Sequence, residues 1–291
     1  MIRRVKYKDI DFEKYESCFK NSEQRKYSAS KEFLDIVTDK KWDLLVYNDY
    51  EAVMPVPYHN KFLVKIVTRP KLCQQLGVFS IKDSKQLNEQ FFEFLNKKYF
   101  FLKHYSFNAK NEISKNLQPR KNYYINKSDF NSVSKNYSPK RRRKISLGYE
   151  KIENLNIVSN SDLDETTKQF IHKYFKGIDS SKTIWEYISL FQEFSSKGLM
   201  YFLKLYSNNK LINLLALYKD EETVALLGTF NDPNYVKLNG ASVLIDKAIK
   251  DNIHLYNFDF EGSELPSVDE FFRGFGPQKE MYSILWKNYK L

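Results

Sequence analysis

The chain has 291 residues, with 47 Lys and Arg against 36 Asp and Glu, a formal charge of +11 and 42% apolar side chains. That length gives one large or two medium domains with room for a core, and 23 Phe and 21 Tyr residues exclude a solvated, disordered chain. Cys18 and Cys73 are the only thiols, which excludes a disulfide framework and fits a reducing compartment.

The opening segment MIRRVKYKDIDFEKY has basic residues with no apolar stretch behind them. No run approaches the roughly 18 apolar residues that a membrane span needs. A cytoplasmic protein without a transmembrane segment is the expectation. The charge is unevenly divided: residues 1–150 hold 31 basic and 17 acidic side chains, a balance of +14, and 151–291 hold 16 and 19, a balance of −3. Of the 47 basic residues only nine are Arg, the type whose planar fork suits phosphate and carboxylate, and three of these are consecutive: Arg141, Arg142 and Arg143.

In chain order, SASKEFLDIV (28–37) predicts a helix capped by Ser28 or Ser30, with Phe33, Leu34 and Val37 at helical spacing. WDLLVYN (42–48) and EAVMPVPYH (51–59) predict strands around an Asp49-Tyr50 turn, and FLVKIVTRP (62–70) a third. Pro55 and Pro57 each remove a ladder donor from the same edge, which predicts an edge strand or a bulge. Residues 84–98 predict a helix, and YFFLKHYSFN (99–108) and NYYINK (122–127) predict strands. Ser138-Pro139 opens a helix to about Tyr149 whose first turns hold five cations, Lys140 to Lys144. Cations sit badly at a helix N-terminus without an anion, so this is either a solvated basic face or an anionic-ligand site.

The second half begins with a strand at 155–160 and helices at 162–175 and 182–196, the latter stopped by Gly198. Residues 200–231 predict three antiparallel strands turning at Asn208-Asn209 and Asp220-Glu221-Glu222. A helix follows from Asn239 to Lys250, then a strand at 255–262, a short helix at 268–276 and a closing strand at 281–288. The order is that of an α/β (α+β) fold with mixed sheets.

His59, His104, His172 and His254 lack metal-ligand spacing, and no Walker loop, G-x-G-x-x-G or G-x-S-x-G is present, so no metal is expected. What remains is GTFNDPNYVKLNGASVLIDKAI (228–249), a strand passing through a loop into a helix whose first turn holds Asn239, Gly240, Ala241 and Ser242, with Lys237 just outside. Such a helix start is an anion cradle or, alternatively, an N-cap with a packing glycine.

Lys237 to Ser242, in this strand order, resembles the pyrophosphate loop of GNAT acyltransferases, Gln/Arg-x-x-Gly-x-Gly/Ala, with Lys237 standing for Gln/Arg and Ser242 for Gly/Ala. FDFEGSELPSVDEFFRGFGPQKEMYSILW (258–286) resembles the closing portion of FemAB-like and BioF2-like transferases. SPKRRRKI (138–145) is similar to the Ser-x-Lys-x-Arg helix that joins two GNAT-like halves in that group, and residues 42–62 and 74–80 look like first-half strands of FemAB-like bacterial proteins. The resemblance implies two tandem GNAT-like (acyl-CoA N-acyltransferase) domains: 1–130, degenerate, and 131–291, entered through the basic helix 138–150. It implies transfer of an acyl group from acyl-CoA (acetyl-CoA) to an amine of a small molecule or cell-wall precursor by direct attack in a ternary complex. The alternatives are a tRNA-dependent aminoacyltransferase acting on a peptidoglycan precursor, with the Arg run as its phosphate surface, and a non-catalytic GNAT-fold binding protein. Asp259 and Glu261 fall on one face of a predicted strand at its carboxyl end. Glu261 is the candidate base, or else a cap for the Gly262-Ser263 turn. Tyr218, with Tyr256 and Tyr235, is a candidate acid for the leaving thiolate. Lys237, Asn239 to Ser242 and Arg141 to Arg143 are the candidate cofactor-binding residues.

Overall fold

The computed structural model describes residues 1–61 and 64–287, so Phe62 and Leu63 of the predicted third strand and Asn288 of the predicted closing strand lie outside the described residues. The elements run β1 (Ile2–Lys6), α1 (Phe12–Lys20), α2 (Lys31–Thr38), β2 (Trp42–Tyr47), β3 (Ala52–Lys61), β4 (Val64–Val67), β5 (Phe79–Ser80), α3 (Lys85–Lys98), β6 (Phe101–Leu102), β7 (His104–Ser106) and β8 (Gln118–Ile125). They continue with α4 (Phe130–Lys135), α5 (Pro139–Lys151), β9 (Asn156–Asn160), α6 (Glu165–Tyr174), α7 (Ser181–Ser196), β10 (Met200–Ser207), β11 (Lys210–Lys219), β12 (Thr223–Asn231), α8 (Gly240–Asn252), β13 (Asn257–Asp259), α9 (Pro266–Arg273) and β14 (Gln278–Trp286). Packing divides the chain into two units: Met1–Lys121 with the segment from Glu280, and Asn122–Lys279. The sequence expectation sets its boundary at 130/131.

The first unit is a mixed sheet in the order β1-β2-β3-β4-β6, with β5 on β3. Of the two serines offered as caps for α2, Ser30 accepts the Phe33 N–H at 3.2 Å, and Phe33, Leu34 and Ile36 are buried below it. Ser28 lies in a 3₁₀ turn and donates to the Gln75 carbonyl at 2.6 Å. The predicted strand 99–108 is broken in two, because β6 pairs with β4 whereas β7 pairs with β14.

β3 is interior to the sheet order, yet its prolines sit on a local edge. β5 pairs only with Ala52 and Val53, and β4 only with Tyr58 to Lys61, so from Met54 to Pro57 the strand is laddered to β2 alone. The Pro55 carbonyl accepts the Tyr105 hydroxyl at 2.7 Å and the Pro57 carbonyl accepts the Thr68 N–H at 3.4 Å. Both carbonyls therefore face away from β2, and the missing N–H groups belong to that same side.

In the second unit β8, β13, β12, β11, β10 and β9 lie side by side in that order. Asn208 and Asn209 both take positive φ (47° and 62°), the backbone a two-residue hairpin needs, and join β10 to β11 with Ser207 opposite Lys210. β12 and β13 run parallel, with α8 as the crossover between them. α8 buries Val243, Leu244, Ile245, Ala248 and Ile249 against one face of the sheet, together with residues of α5 and α9 such as Ile145 and Phe272. Each of the larger side chains contributes about 1.5–3 kcal/mol by burial. α6 and α7 cover the other face, with Phe191 against Phe230 and Phe194 against Tyr218.

Candidate functional site

The parallel pair is short. β12 and β13 are in register only at Thr223–Asn257, Val224–Phe258 and Ala225–Asp259; β13 then stops, and β12 runs on to Asn231 beside β11. The two strands part at their carboxyl ends, where α/β sheets present ligands. A β-bulge falls at the same place. Ala216 faces Gly228 and Leu217 faces Leu226, leaving Leu227 as the extra residue, which re-aims the backbone of β12 as it leaves β13.

Tyr218, Ala225 and Asp259 are successive cross-strand partners, so two of the three candidate catalytic residues share one row and one face, separated by a single alanine. Tyr218 is buried there, its ring edge-on to Phe194 at 5.4 Å. The predicted strand through residue 262 is corrected: it ends at Asp259, because the Asp259 carboxylate accepts the Glu261 N–H at 2.8 Å and the chain turns. Glu261 and Gly262 then adopt φ of 62° and 63°. The alternation that placed Asp259 and Glu261 on one face does not extend through that turn. A left-handed glutamate costs on the order of 1 kcal/mol, which packing supplies here for a half-buried carboxylate at the apex of the opening.

The side chains at the start of α8 are engaged within the fold. Asn239 is left-handed (φ 58°) and its side chain caps none of the first N–H groups, donating instead to the Lys237 carbonyl at 3.3 Å. A Cβ on Gly240 would lie 1.9 Å from the Asn213 Oδ1, so the glycine has a packing reason of its own: α8 meets β11 there. Ser242 is buried and its hydroxyl accepts from the Arg141 guanidinium. Ala241 is half-buried and Lys237 is exposed, just before the helix.

The three arginines of α5 part company, as 100° of helical rotation per residue requires. Arg141, only 5% exposed, turns inward: one Nη meets Ser242, the other donates to the Phe271 carbonyl at 2.8 Å, and the guanidinium lies 4.0 Å and 4.5 Å from the Phe271 and Phe275 ring centres. Burial pushes its pKa down to about 10, against the pull of Glu270 and Tyr137. Arg142 turns back to the Lys135 and Tyr137 carbonyls at the end of α4, and Arg143 is exposed. A cavity of about 480 Å³ opens beside Arg141, lined by Ser138, Lys140, Lys144, Ser267, Glu270, Phe271, Arg273 and Gly274.

Three structural comparisons bear on this geometry. FemX superposes at a TM-score of 0.64 with 8% identity, over 96% of each chain. A tandem GNAT protein from the clavulanic acid biosynthesis pathway gives 0.54 and 7% over 98% of each. L-PGS from Bacillus licheniformis gives 0.53 and 11%, over 96% of this chain and 93% of that one. The protein has the FemAB-like tandem GNAT fold. No family model matches the sequence, and a search of curated proteins finds no match. In this GNAT fold the opening between β12 and β13, the start of α8 and α9 all fall in the second unit.

Several residues of the region carry no sequence signal. Asn213 on β11, Lys144 and Arg273 are one polar or charged residue among many. Asp246, on the α8 face toward α5, is buried and held up at about 6 by desolvation, with Tyr137 and Lys250 pulling it down. Among the described residues no group of three or more His, Cys, Asp or Glu side chains is placed to hold a metal ion, and no helix is long and apolar enough to cross a membrane.

Proposed function

We propose that the protein is a transferase that moves an acyl group from acyl-CoA to an amine by direct attack. The observation that carries this is the parting of β12 from β13 at a bulge, with Glu261 fixed on a left-handed turn at its apex. Backbone N–H groups of β12 beyond Ala225 hold the reacting carbonyl, because β13 no longer pairs with that stretch. Glu261 takes the proton of the attacking amine, and Asp259 holds the turn that aims it. Tyr218 lies in the row that could return a proton to the leaving thiolate.

The donor's phosphates fit the cationic side of the site, since the Ser242 hydroxyl is engaged by Arg141 and Asn213 packs against Gly240. That same arrangement favours a second reading, an aminoacyl group delivered from charged tRNA to a cell-wall precursor. Titration with coenzyme A and acetyl-CoA, and a gel shift with bulk tRNA across a salt series, separate the two. Absence of coenzyme A binding at millimolar ligand sinks the first; a shift that fades steeply with salt supports the second. If neither ligand binds, the chain is a non-catalytic GNAT-fold protein.

A further inference from the structure

The cavity between α5 and α9 carries four cations, Lys140, Arg141, Lys144 and Arg273, against one carboxylate, Glu270. Arg141 is its floor. The side chain is more than nine-tenths buried, yet it makes no ion pair among the described residues, and its Nε has no hydrogen-bond partner. One carbonyl, one hydroxyl and two aromatic faces hold the guanidinium in place, but none of them neutralises it. A buried charge in that state carries a large desolvation cost unless an anion completes it.

Gly274 bears on the same edge of the guanidinium. Its φ of −60° is open to any residue, so backbone freedom does not explain the glycine. Space does: a Cβ there would stand 2.9 Å from the Arg141 Nε and 3.1 Å from one Nη, closing the unpartnered edge. The helix dipole adds an independent pull. α5 begins at Ser138 with no acidic residue in its first turn and five consecutive cations behind it, the wrong sign for its N-terminus unless an anion sits there. Two carboxylates act on these cations: Asp269 holds the Nε of the mostly exposed Arg273 at 3.1 Å, and Glu270, the one in the lining, meets Lys140 at 3.0 Å with both side chains mostly exposed. Such a pair is weak and readily exchanged.

We propose that this cavity is a phosphate site, in which Arg141, Lys140, Lys144 and Arg273 surround a phosphate or pyrophosphate group and the Ser267 hydroxyl lies at its rim. Glu270 yields Lys140 to the ligand on binding. The site deepens the transferase reading by saying where a donor's phosphate is held, and rests on that reading only for which donor carries it.

The test is calorimetric titration of the full chain with inorganic pyrophosphate. Lys144→Glu and Gly274→Ala should each weaken binding at least tenfold, while Lys151→Glu, the same charge change at the far end of α5, stays within twofold of the parent. Thermal unfolding of each variant confirms that the fold is retained, and Lys144→Glu, at a half-buried lysine, decides the matter if Gly274→Ala unfolds. No heat with millimolar pyrophosphate, or an equal loss in Lys151→Glu, overturns the site. Coenzyme A displacing pyrophosphate assigns the phosphate to a thioester donor, and bulk tRNA displacing it assigns it to a nucleic-acid donor. Displacement by neither keeps the site while removing its link to transfer, so the two readings fail separately.

Discussion

Two of the molecule's buried charges, one in each unit, are treated oppositely. Asp43 on β2 has no exposure, and its carboxylate accepts from Arg4 (2.9 Å through Nε, 2.6 Å through Nη2), Lys65 (3.0 Å) and the Tyr99 hydroxyl (3.0 Å). Arg141 is almost as deep, and is bonded only to neutral oxygens and ring faces, with its Nε unpartnered. A carboxylate over-supplied with cations is a finished piece of structure. A guanidinium left without an anion is half of an interaction, and the other half comes from outside the chain.

Substitution should pull the two apart. Asp43→Ala strands Arg4 and Lys65, both able to reach water, and should lower unfolding free energy by about 3 kcal/mol in denaturant titration while leaving pyrophosphate affinity unchanged. Arg141→Met fills a similar volume with apolar atoms and should change stability by no more than about 1 kcal/mol, because a half-compensated buried charge contributes little to the fold. Its pyrophosphate affinity should fall more than tenfold. The reverse pattern, a stable Asp43 variant and an unfolded Arg141 variant, would show that Arg141 is the structural charge.

A third buried charge sharpens the contrast through pH. Asp246 holds its proton to about pH 6 in the folded chain, against an ordinary aspartate value near 4 when unfolded. The folded state therefore binds the extra proton, and stability is lost as pH rises from about 4 to 6. Asp246→Asn should match the parent at pH 4 and exceed it by on the order of 1–3 kcal/mol above pH 6. His104, whose burial lowers its value to about 4, titrates over the same window with the opposite sign, so the difference between variant and parent is the quantity to read. The smallest effect belongs to Glu261. Glu261→Gly should stabilise by about 1 kcal/mol by relieving the left-handed turn, and should abolish transfer; retained activity would remove Glu261 from the base role.

Most of the second unit was legible because its signals are local. Asn208-Asn209, the Gly198 stop and the stripe on α8 each act within a few residues, and the order β10-β11-β12-α8-β13-α9-β14 follows from them. β1 and α1 were not predicted: IRRVK has three cations in five residues and buries only Val5, and FEKYESCFK spaces its buried Tyr15, Cys18 and Phe19 among four charges. The site divided similarly. Glu261, Gly240 and Arg141 could be singled out from turns and charge runs, but the sequence treats Arg141 to Arg143 as one feature. Only the direction each leaves the helix makes one of them a floor, one a cap and one a surface charge. Lys144 and Arg273 become neighbours because α5 and α9 meet, which no spacing in the chain announces.

The paired prolines of β3 have a consequence for how the chain keeps its interior free of orphaned backbone groups. Between Val53 and Tyr58 the strand has no ladder partner on one side among the described residues, and Val53, Met54 and Val56 have no exposure, so an N–H pointing to that side would have neither a strand nor water to donate to. Pro55 and Pro57 have no such donors to strand, and the Tyr105 hydroxyl and the Thr68 N–H occupy their carbonyls. A break in the ladder is thus carried inside the fold without an unmet donor.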